Sequence, residues 1–376
     1  DLMRNKSPAY AGCIEAAKSL KSKARLHMLR LDIPQTGLEN RTFNPPAVRD
    51  NAFVCLQTMW RSCGTYLWSK FRNNPDFCAF IEPCHEKLLF ATSEMFQKDM
   101  EGGVTTTLRH PPIDKHYFAE FPFQENGGVP FFHKRFSFEN YYLPEETADL
   151  ELERYITSLT DVARSQNRRS FTKFCRFGMK TAWLKKNFAP MIIYVVRDPD
   201  AMFRSYWSLG GRDSYFLCGL ILILSKNRNL PMFGEAAEEW GIPSILCSTT
   251  AEEIAEAHKV VQKLDDQILR DICLLLWALT LKHNIACADV LLDVDSLALN
   301  SVYRKKMEEL LTRDIGISFA FDDIQRPRQA AAPGSLFSPR GMEIIQRSMQ
   351  GLSADFSSLS LDALSADSRK LFEALL

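Results

Sequence analysis

Short apolar runs that alternate with helical stretches constrain the fold of this chain more than any other feature. Four runs have the length of a strand: residues 52–57, 77–81, 171–175 and 191–196, of which the last is the clearest. Helical stretches lie between them, such as Tyr66–Arg72 after the first run. Strands that alternate with helices predict parallel βαβ units, and therefore an α/β fold with a central parallel β-sheet flanked by helices.

The chain divides into three predicted parts. Residues 1–48 carry apolar side chains at helical spacing, which predicts an N-terminal helical segment packed on the core or, alternatively, the end of a helical-repeat array. Residues 49–325 form the predicted α/β domain, which includes an apolar helix at Asp265–His283 and a last core strand at 288–293. Residues 326–376 are rich in Pro, Gly, Ala and Ser, and we expect a loop and short helices there.

The charge balance and the apolar segments limit the classes of partner. The 376 residues include 46 basic and 46 acidic side chains, so no overall field favours nucleic acid or an anionic membrane, and local clusters must bind any anion. The longest apolar stretch, Tyr215–Leu224, is well short of the roughly 20 residues of a membrane helix, so we expect no integral membrane segment. Because the chain opens with Asp1 rather than Met, the possibility that an upstream anchor has been trimmed stays open.

The ten cysteines indicate a reducing environment. None stands in C-x-x-C or in paired Cys/His spacing, and several lie inside apolar runs, where a thiol behaves as a small hydrophobic group: Cys55, Cys78, Cys175, Cys218 and Cys273. This usage favours free thiols over a disulfide framework, and hence a cytoplasmic location. It offers no ligand spacing for a structural zinc, so we expect no metal.

Residues 101–145 are too long and too loop-like to be a simple connection between elements. They contain Gly102-Gly103, Gly127-Gly128, several prolines and many aromatic residues. Long loops of this kind are often functional, and we expect a binding lid or a substrate wall here. The alternative is an aromatic-rich loop that only covers the core.

A first anion-binding segment, Trp60-Arg-Ser-Cys-Gly-Thr65, follows the first predicted strand. Where a strand leads into a helix, backbone N–H groups point outward and attract an anion. Arg61 adds a charge with the fork geometry that suits phosphate or sulfate oxygens, and Ser62 and Thr65 can donate hydroxyl hydrogen bonds. An ordinary capped turn is the alternative. The nucleotide-binding pattern G-x-x-x-x-G-K-[ST] is absent, which disfavours a Mg-ATP site.

A second segment, Arg197-Asp198-Pro199, ends the fourth predicted strand, and Ser205 follows eight residues after Arg197. The strand, the tripeptide and a short helix together place a guanidinium and a hydroxyl at the carboxyl edge of the sheet. Open α/β sheets bind their ligands at that edge. Taken alone, the tripeptide is equally typical of a salt-bridged strand end with a proline at the start of a helix.

Together, in this order and at this separation, the two segments resemble the sulfotransferase superfamily. The 5′-phosphosulfate loop of that family typically reads Arg-Ser-Gly-Thr/Ser-Thr, and its 3′-phosphate motif reads Arg-Asp-Pro followed by a serine. Residues 289–297 are also similar to the late strand of the family and the motif at its end. The resemblance covers most of the predicted α/β domain and implies a P-loop-like sulfotransferase fold.

The resemblance implies 3′-phosphoadenosine 5′-phosphosulfate (PAPS) as donor, adenosine 3′,5′-bisphosphate (PAP) as product, and no metal. It implies that Arg61 contacts the phosphosulfate and stabilises the leaving phosphate, and that Arg197 and Ser205 hold the 3′-phosphate. The remaining residues of the implied cofactor site are Ser62, Cys63, Gly64, Thr65 and Tyr66. Cys63 stands where the family often has glycine. We expect Gly64 to take any left-handed conformation that the loop needs, with Cys63 close to the cofactor and a reactive thiol there left open.

Glu82, which follows the second predicted strand, is our candidate for the general base. Sulfonate transfer to an alcohol needs a group that takes the hydroxyl proton as the oxygen attacks, and the resemblance to carbohydrate and protein sulfotransferases implies a glutamate here. Glu82 can instead cap the strand end or pair with Arg61, and other bases compete with it: His85, Glu86, His110 and His133. We expect Lys173 and Arg176, which flank the end of the third strand, to be solvated charges rather than part of an acceptor pocket.

The predicted function is transfer of a sulfonate group from PAPS to an acceptor hydroxyl by a single in-line displacement, with Glu82 and Arg61 as catalytic residues. Carbohydrate, lipid-linked and peptidyl acceptors all stay open, with carbohydrate or glycolipid favoured. The alternatives are a P-loop-type nucleotide-dependent kinase and a non-catalytic helical interaction protein.

Overall fold

Five parallel strands form the centre of the molecule. The computed structural model of the chain describes residues 52–103, 108, 110–324, 338–350, 352 and 364–375, so the predicted helical segment at 1–48 lies outside the described residues. The strands are β1 (Phe53–Thr58), β2 (Phe77–Ile81), β3 (Arg169–Phe174), β4 (Met191–Val196) and β5 (Val290–Asp293). They form one sheet in the order β2-β3-β1-β4-β5, with every neighbouring pair parallel.

Helices connect the strands and cover both faces of the sheet, which confirms the predicted α/β fold with a central parallel sheet. Those described are α1 (Gly64–Arg72), α2 (Ser93–Glu101), α3 (Arg135–Phe138), α4 (Leu150–Ser165), α5 (Thr181–Phe188), α6 (Pro199–Trp207), α7 (Tyr215–Lys226), α8 (Pro231–Glu239), α9 (Thr250–Lys263), α10 (Asp266–Ile285), α11 (Val294–Leu299), α12 (Ser301–Ile315), α13 (Pro339–Gln350) and α14 (Ala366–Leu375). The apolar stretch at 215–224 is the buried helix α7. No helix in the described ranges has both the length and the apolar character needed to cross a membrane.

The third strand begins two residues earlier, and ends one residue earlier, than its apolar pattern predicts. The backbone N–H of Arg169 donates to the carbonyl of Asp76, and that of Ser170 donates to the carbonyl of Ala52, so both residues belong to the ladder. Strand bounds follow backbone pairing with neighbouring strands, which the hydrophobicity of the run does not report. The predicted run 171–175 therefore covers only the later part of β3.

The sheet is buried between two hydrophobic clusters. Along β4, Ile193 and Val195 join the cluster on one face, called the first cluster here, whereas Tyr194 and Val196 join the second cluster on the other face. Alternation along a strand sends successive side chains to opposite faces, and a parallel sheet is apolar on both. Beyond residue 326, α13 packs on α8 and α10, so the C-terminal region adds helices to the second cluster.

The connections after β1 and β4 run in opposite directions along the sheet. After β1 the chain proceeds to β2 at one edge, whereas after β4 it proceeds to β5 at the other. Because β1 and β4 are neighbours, their carboxyl ends flank a crevice. A reversal of this kind is where open α/β sheets bind ligands.

Removing the ring of Phe171 tests the packing of the first cluster. This buried ring stacks on that of Phe71 with centroids 3.9 Å apart. We expect Phe171→Ala to lower the free energy of unfolding by about 3–5 kcal/mol, because the cavity cannot fully collapse. Urea denaturation measures this change. Leu299→Ala, at a side chain that is 62% exposed, is the control and should stay within about 0.5 kcal/mol; equal losses in both variants would contradict this account of the core.

Candidate functional site

A cavity of about 840 Å³ lies at the carboxyl edge of the sheet. Four strands each deliver a charged residue to its wall just beyond their ends: Arg61 after β1, Glu82 after β2, Arg176 after β3 and Arg197 after β4. The volume falls within the range of small-molecule sites. The cavity thus contains the crevice between β1 and β4 and extends from there across β3 to β2.

The loop between β1 and α1 has an unusual backbone. Arg61 and Cys63 both adopt the left-handed conformation, with φ of 62° and 57°. Such residues cost of order 1–3 kcal/mol each and are typical of functional sites. The expectation that Gly64 takes the left-handed conformation is wrong, because Gly64 is already the first residue of the right-handed helix α1.

Gly64 is required for space instead. A Cβ atom at this position would lie 2.5 Å from Cε of Lys173 and 2.9 Å from Oγ1 of Thr58. The absence of a side chain therefore lets the β3 lysine approach the amino end of α1. The loop and Lys173 form one packed unit.

The two segments singled out in the sequence are joined by hydrogen bonds. Nη1 of Arg197 donates to the backbone carbonyl of Arg61 at 2.5 Å, and Nε of Arg61 donates to Oγ of Ser205 at 3.1 Å. Indole Nε1 of Trp277 donates to the carbonyl of Arg197 at 2.9 Å and fixes the end of β4. These bonds tie the side chain of Arg197 to the backbone of Arg61, and the side chain of Arg61 to Ser205, so both arginines are fixed at the crevice.

Not every predicted cofactor residue reaches the cavity. Cys63, Gly64, Thr65 and Tyr66 line it, together with Arg61 and Arg197. The hydroxyl of Ser62 is buried and donates to the sulfur of Met202 at 3.1 Å, so that side chain is turned away from the wall. Ser205 lies behind Arg61 and meets the cavity only through it.

His110 extends the bonding of Arg61 into the long loop. Nη1 of Arg61 donates to the carbonyl of Leu108 at 2.9 Å and lies 3.3 Å from Nε2 of His110. Because a guanidinium can only donate, Nε2 accepts, and Nδ1–H donates to the oxygen of Tyr117 at 2.6 Å. Burial, reinforced by the charge of Arg61, lowers the pKa of His110 to about 3, so the ring is neutral at physiological pH.

Glu82 binds two buried cations. One carboxylate oxygen accepts from Nζ of Lys173, and the other accepts from Nη1 of Arg176 at 3.2 Å and from the backbone N–H of Cys175 at 3.3 Å. Glu82 therefore does not pair with Arg61, which was one alternative considered for it. Its own backbone is left-handed, with φ of 49°.

Lys173 and Arg176 are not solvated charges, and that expectation is wrong. Both are buried and both line the cavity. Arg176 also lies 3.0 Å from a carboxylate oxygen of Glu86 through Nε, and its Nη2 donates to the hydroxyl of Tyr215 at 3.0 Å. That hydroxyl donates to Glu86. Cations and carboxylates thus alternate along a continuous chain from Lys173 through Glu82 and Arg176 to Glu86.

The alternating charges set the protonation states. Burial by itself raises the pKa of Glu82, but the charges of Lys173 and Arg176 outweigh it and lower this pKa to about 2. Burial favours a lower pKa for Lys173, yet Cys175 and Glu82 hold it above its ordinary value. The pKa of Glu86 is likewise lowered, because Arg176 overcomes the effect of burial. At neutral pH the carboxylates and the cations are all charged.

The other sequence candidates divide between the wall and the surface. His85 lines the cavity, accepts a hydrogen bond from the N–H of Lys87 at 3.2 Å, and has its pKa lowered to about 3 by burial. His133 is half-exposed and does not line the cavity. The thiol of Cys63 has its pKa raised by burial, despite nearby Arg197, so it is protonated rather than a reactive thiolate.

The described residues of the segment 101–145 divide between the wall of the cavity and the core. Part of it lines the cavity: Leu108, His110, Pro111, Pro112, Tyr117 and Phe118. Another part is buried in the core: Phe121, Phe132, Phe136, Phe138 and Tyr141. The wall and the core cover are thus successive stretches of the same segment.

Sequence reasoning missed the inward direction of the β3 end and the contribution of α7. Lys173 lies inside the apolar run 171–175 and Arg176 directly follows it, and a position at the carboxyl end of a strand is a signal that could have placed them. Tyr215 and Phe216 also line the cavity, and the ring of Phe216 lies 5.8 Å from the guanidinium of Arg61. Nothing local in the sequence indicates that the start of α7 reaches this edge.

Comparisons with models of known protein families, with curated proteins and with solved structures returned no match to this chain. Among the described residues, no group of three or more His, Cys, Asp or Glu side chains is arranged to hold a metal ion. We therefore interpret the site from its own residues and from the two motifs that the sequence supplies.

The ion pairs of Glu82 predict a pH-dependent contribution to stability. Its pKa falls from 4.5 to about 2 on folding, so the contribution is present above about pH 4.5 and is lost as the pH falls toward 2. We expect Glu82→Gln to lower the free energy of unfolding by about 3 kcal/mol at pH 7, and by progressively less below pH 4.5. Urea denaturation across this pH range measures the difference.

Glu125→Gln is the control for that experiment, because Glu125 is exposed. It should leave both the stability and its pH dependence close to those of the parent chain. A loss in Glu82→Gln that stays constant from pH 7 to pH 3 would contradict the ion-pair account.

Proposed function

We propose that this protein is a sulfotransferase that moves a sulfonate group from PAPS to an acceptor hydroxyl, on a P-loop-like sulfotransferase fold. The observation that carries the proposal is the hydrogen-bonded unit of Arg61, Arg197 and Ser205 at the crevice between β1 and β4. Two arginines that line one cavity beside a helix amino end suit a ligand with separate anionic groups. PAPS has such groups at its 5′ and 3′ positions.

In this proposal the donor lies over β1 and β4. The phosphosulfate occupies the loop from Arg61 to Thr65, and the 3′-phosphate binds Arg197. Ser205 acts indirectly, by accepting a hydrogen bond from Arg61. Lys173 is an addition to the site expected from the sequence. Its Cε packs against Gly64, so its ammonium can approach an anion in the loop and stabilise the charge that develops on the leaving phosphate.

Glu82 is the proposed general base. Its carboxylate is charged at neutral pH and lines the cavity beside Lys173. With a pKa of about 2 it is a weak base, so it takes the proton only as the new oxygen–sulfur bond acidifies the acceptor hydroxyl. The acceptor oxygen bonds to sulfur, the bridging oxygen leaves with PAP, and the proton passes to Glu82. His110 is the second candidate, since it is neutral and lines the same wall.

Nothing in the described site favours the alternatives of a kinase or a helical interaction protein. The loop from Arg61 to Thr65 has no lysine where a Mg-ATP loop would have one. Buried ionisable groups with shifted pKa values that line a cavity are typical of catalytic or ligand-binding sites, and a scaffold protein does not need them.

Calorimetric titration with PAP and with ATP tests the donor site. We expect PAP to bind and ATP to bind much more weakly, because ATP lacks the 3′-phosphate that Arg197 is placed to hold. Arg197→Ala should weaken PAP binding by about 10- to 100-fold, the value of a lost charge-assisted hydrogen bond. Failure of PAP to bind the parent chain would reject the proposed function.

Two further variants separate binding from folding in that experiment. Ser205→Ala removes only a hydroxyl and should weaken PAP binding less than Arg197→Ala does. Arg204→Ala is the matched control, because Arg204 lies in the same helix, pairs with Asp200 and does not line the cavity. PAP affinity that falls equally in the Arg204 variant would indicate loss of structure rather than of a phosphate contact.

Turnover distinguishes the two candidate bases. Glu82→Gln should keep or increase PAP affinity, since it releases Lys173, while lowering the rate of sulfonate transfer from radiolabelled PAPS by about 10²- to 10⁴-fold. His110→Asn should retain most of that rate. The reverse pattern would assign the base to His110.

A further inference from the structure

We infer that the acceptor is an uncharged, amphiphilic alcohol, whose hydroxyl is flanked by an apolar or aromatic group. This deepens the proposed function and rests on it in one respect, namely which part of the cavity takes the donor. The observations that carry it are the distribution of charge and of apolar side chains along the cavity.

The order of the strands divides the cavity. Arg61 and Arg197 follow β1 and β4, whereas Lys173 lies near the end of β3, the other neighbour of β1, and Glu82 follows the edge strand β2. With the donor over β1 and β4, the acceptor approaches Glu82 over β3 and β2. The wall on that side comes from the residues after β2, from α2, from Leu108 and residues 110–118, and from the start of α7.

Charges on the acceptor side are paired. Nζ of Lys87 binds a carboxylate oxygen of Asp99 at 2.7 Å. Arg176 binds both Glu82 and Glu86, and Lys173 binds Glu82. Within the part of the chain that the structure describes, this wall therefore carries three cations and three carboxylates. They form two groups: Lys87 with Asp99, and Lys173 and Arg176 with Glu82 and Glu86. His85 and His110 are neutral.

A charged acceptor would be poorly matched to this wall. A carboxylate or sulfate on the acceptor would lie near three carboxylates whose cations are already engaged, and would have to break one of those pairs. Leaving a buried charge without its partner is costly. Two further cations of the cavity, Arg61 and Arg197, lie instead on the donor side, where Nε of Arg197 is 4.0 Å from Oδ1 of Asp295. Charge is thus segregated along a single cavity.

Apolar side chains fill the rest of the acceptor wall. The rings of Phe96 and Phe118 pack with centroids 4.2 Å apart, and the ring of His85 meets Phe118 edge-on. Other apolar members of the wall are Ile81, Met100, Leu108, Pro111, Pro112 and Phe216. Such a surface binds alkyl or aromatic groups through burial of apolar area, while the paired polar groups orient a hydroxyl.

A matched pair of probes tests the inference. Octyl β-D-glucoside and octyl β-D-glucuronide differ by one carboxylate, and methyl β-D-glucoside lacks the alkyl chain. We expect octyl glucoside, below its micelle-forming concentration, to bind about tenfold or more tightly than either of the others. Calorimetry with the parent chain saturated with PAP measures this. Equal or tighter binding of the glucuronide, or no binding of octyl glucoside, would overturn the inference.

Asp99→Asn tests the origin of the charge preference. It removes the carboxylate that Lys87 binds and should raise the affinity for octyl glucuronide by about tenfold, with little change for octyl glucoside. Asp76→Asn is the control and should change neither affinity, because Asp76 immediately precedes β2, at the amino end of that strand, and does not line the cavity. An unchanged preference in the Asp99 variant would overturn the charge argument.

The same titrations without PAP separate this inference from the proposed function. Failure of PAP to bind rejects the sulfotransferase proposal, whereas the preference among the three glycosides is read from the wall itself. A preference for the uncharged alkyl probe that persists without PAP supports the inference about the wall. Loss of the preference with PAP still bound rejects only the inference.

Discussion

The carboxylate of Glu82 binds two buried cations, Lys173 and Arg176, and the carboxyl edge of the sheet is organised around that interaction. Each of these groups would be costly to bury alone. Arg176 in turn needs Glu86, and Glu86 is bonded by Tyr215 from α7. A single strand-end glutamate thereby connects β2, β3 and the helical layer that carries α7.

Such buried pairs are a weak source of stability, because desolvation offsets much of the attraction between the charges. Their value here is positional. They keep a carboxylate and an ammonium charged and adjacent while both side chains are buried, and electrostatic effects are stronger in such surroundings than in water. Strain is concentrated in the same place, since Arg61, Cys63 and Glu82 all hold left-handed backbone conformations. The surrounding structure must compensate for that strain, as it does at many functional sites.

The cavity has two chemically different ends. Arg61, Arg197 and the amino end of α1 bring positive groups to one end, whereas the other end is apolar and its charges are paired. A polyanionic donor and an uncharged acceptor could therefore occupy one continuous space without competing for the same half. Lys173 and Glu82 lie at the boundary between the halves, where proton transfer and charge stabilisation would both be needed.

The sequence by itself determined the alternation of strands and helices, because buried parallel strands must be apolar runs, and it singled out the two segments that meet at the crevice. Arg61 and Arg197 could be found because a loop and a strand end are local features. The pairing of Glu82 with Lys173 and Arg176 could not, because these residues are about ninety positions apart and meet only through the register of β2 with β3. The same holds for Gly64: it is needed for the space that Lys173 occupies rather than for a left-handed backbone, which Cys63 adopts instead. Local pattern reports which residues are buried or exposed along one element, whereas the partners of a buried charge are set by which elements the tertiary structure places side by side.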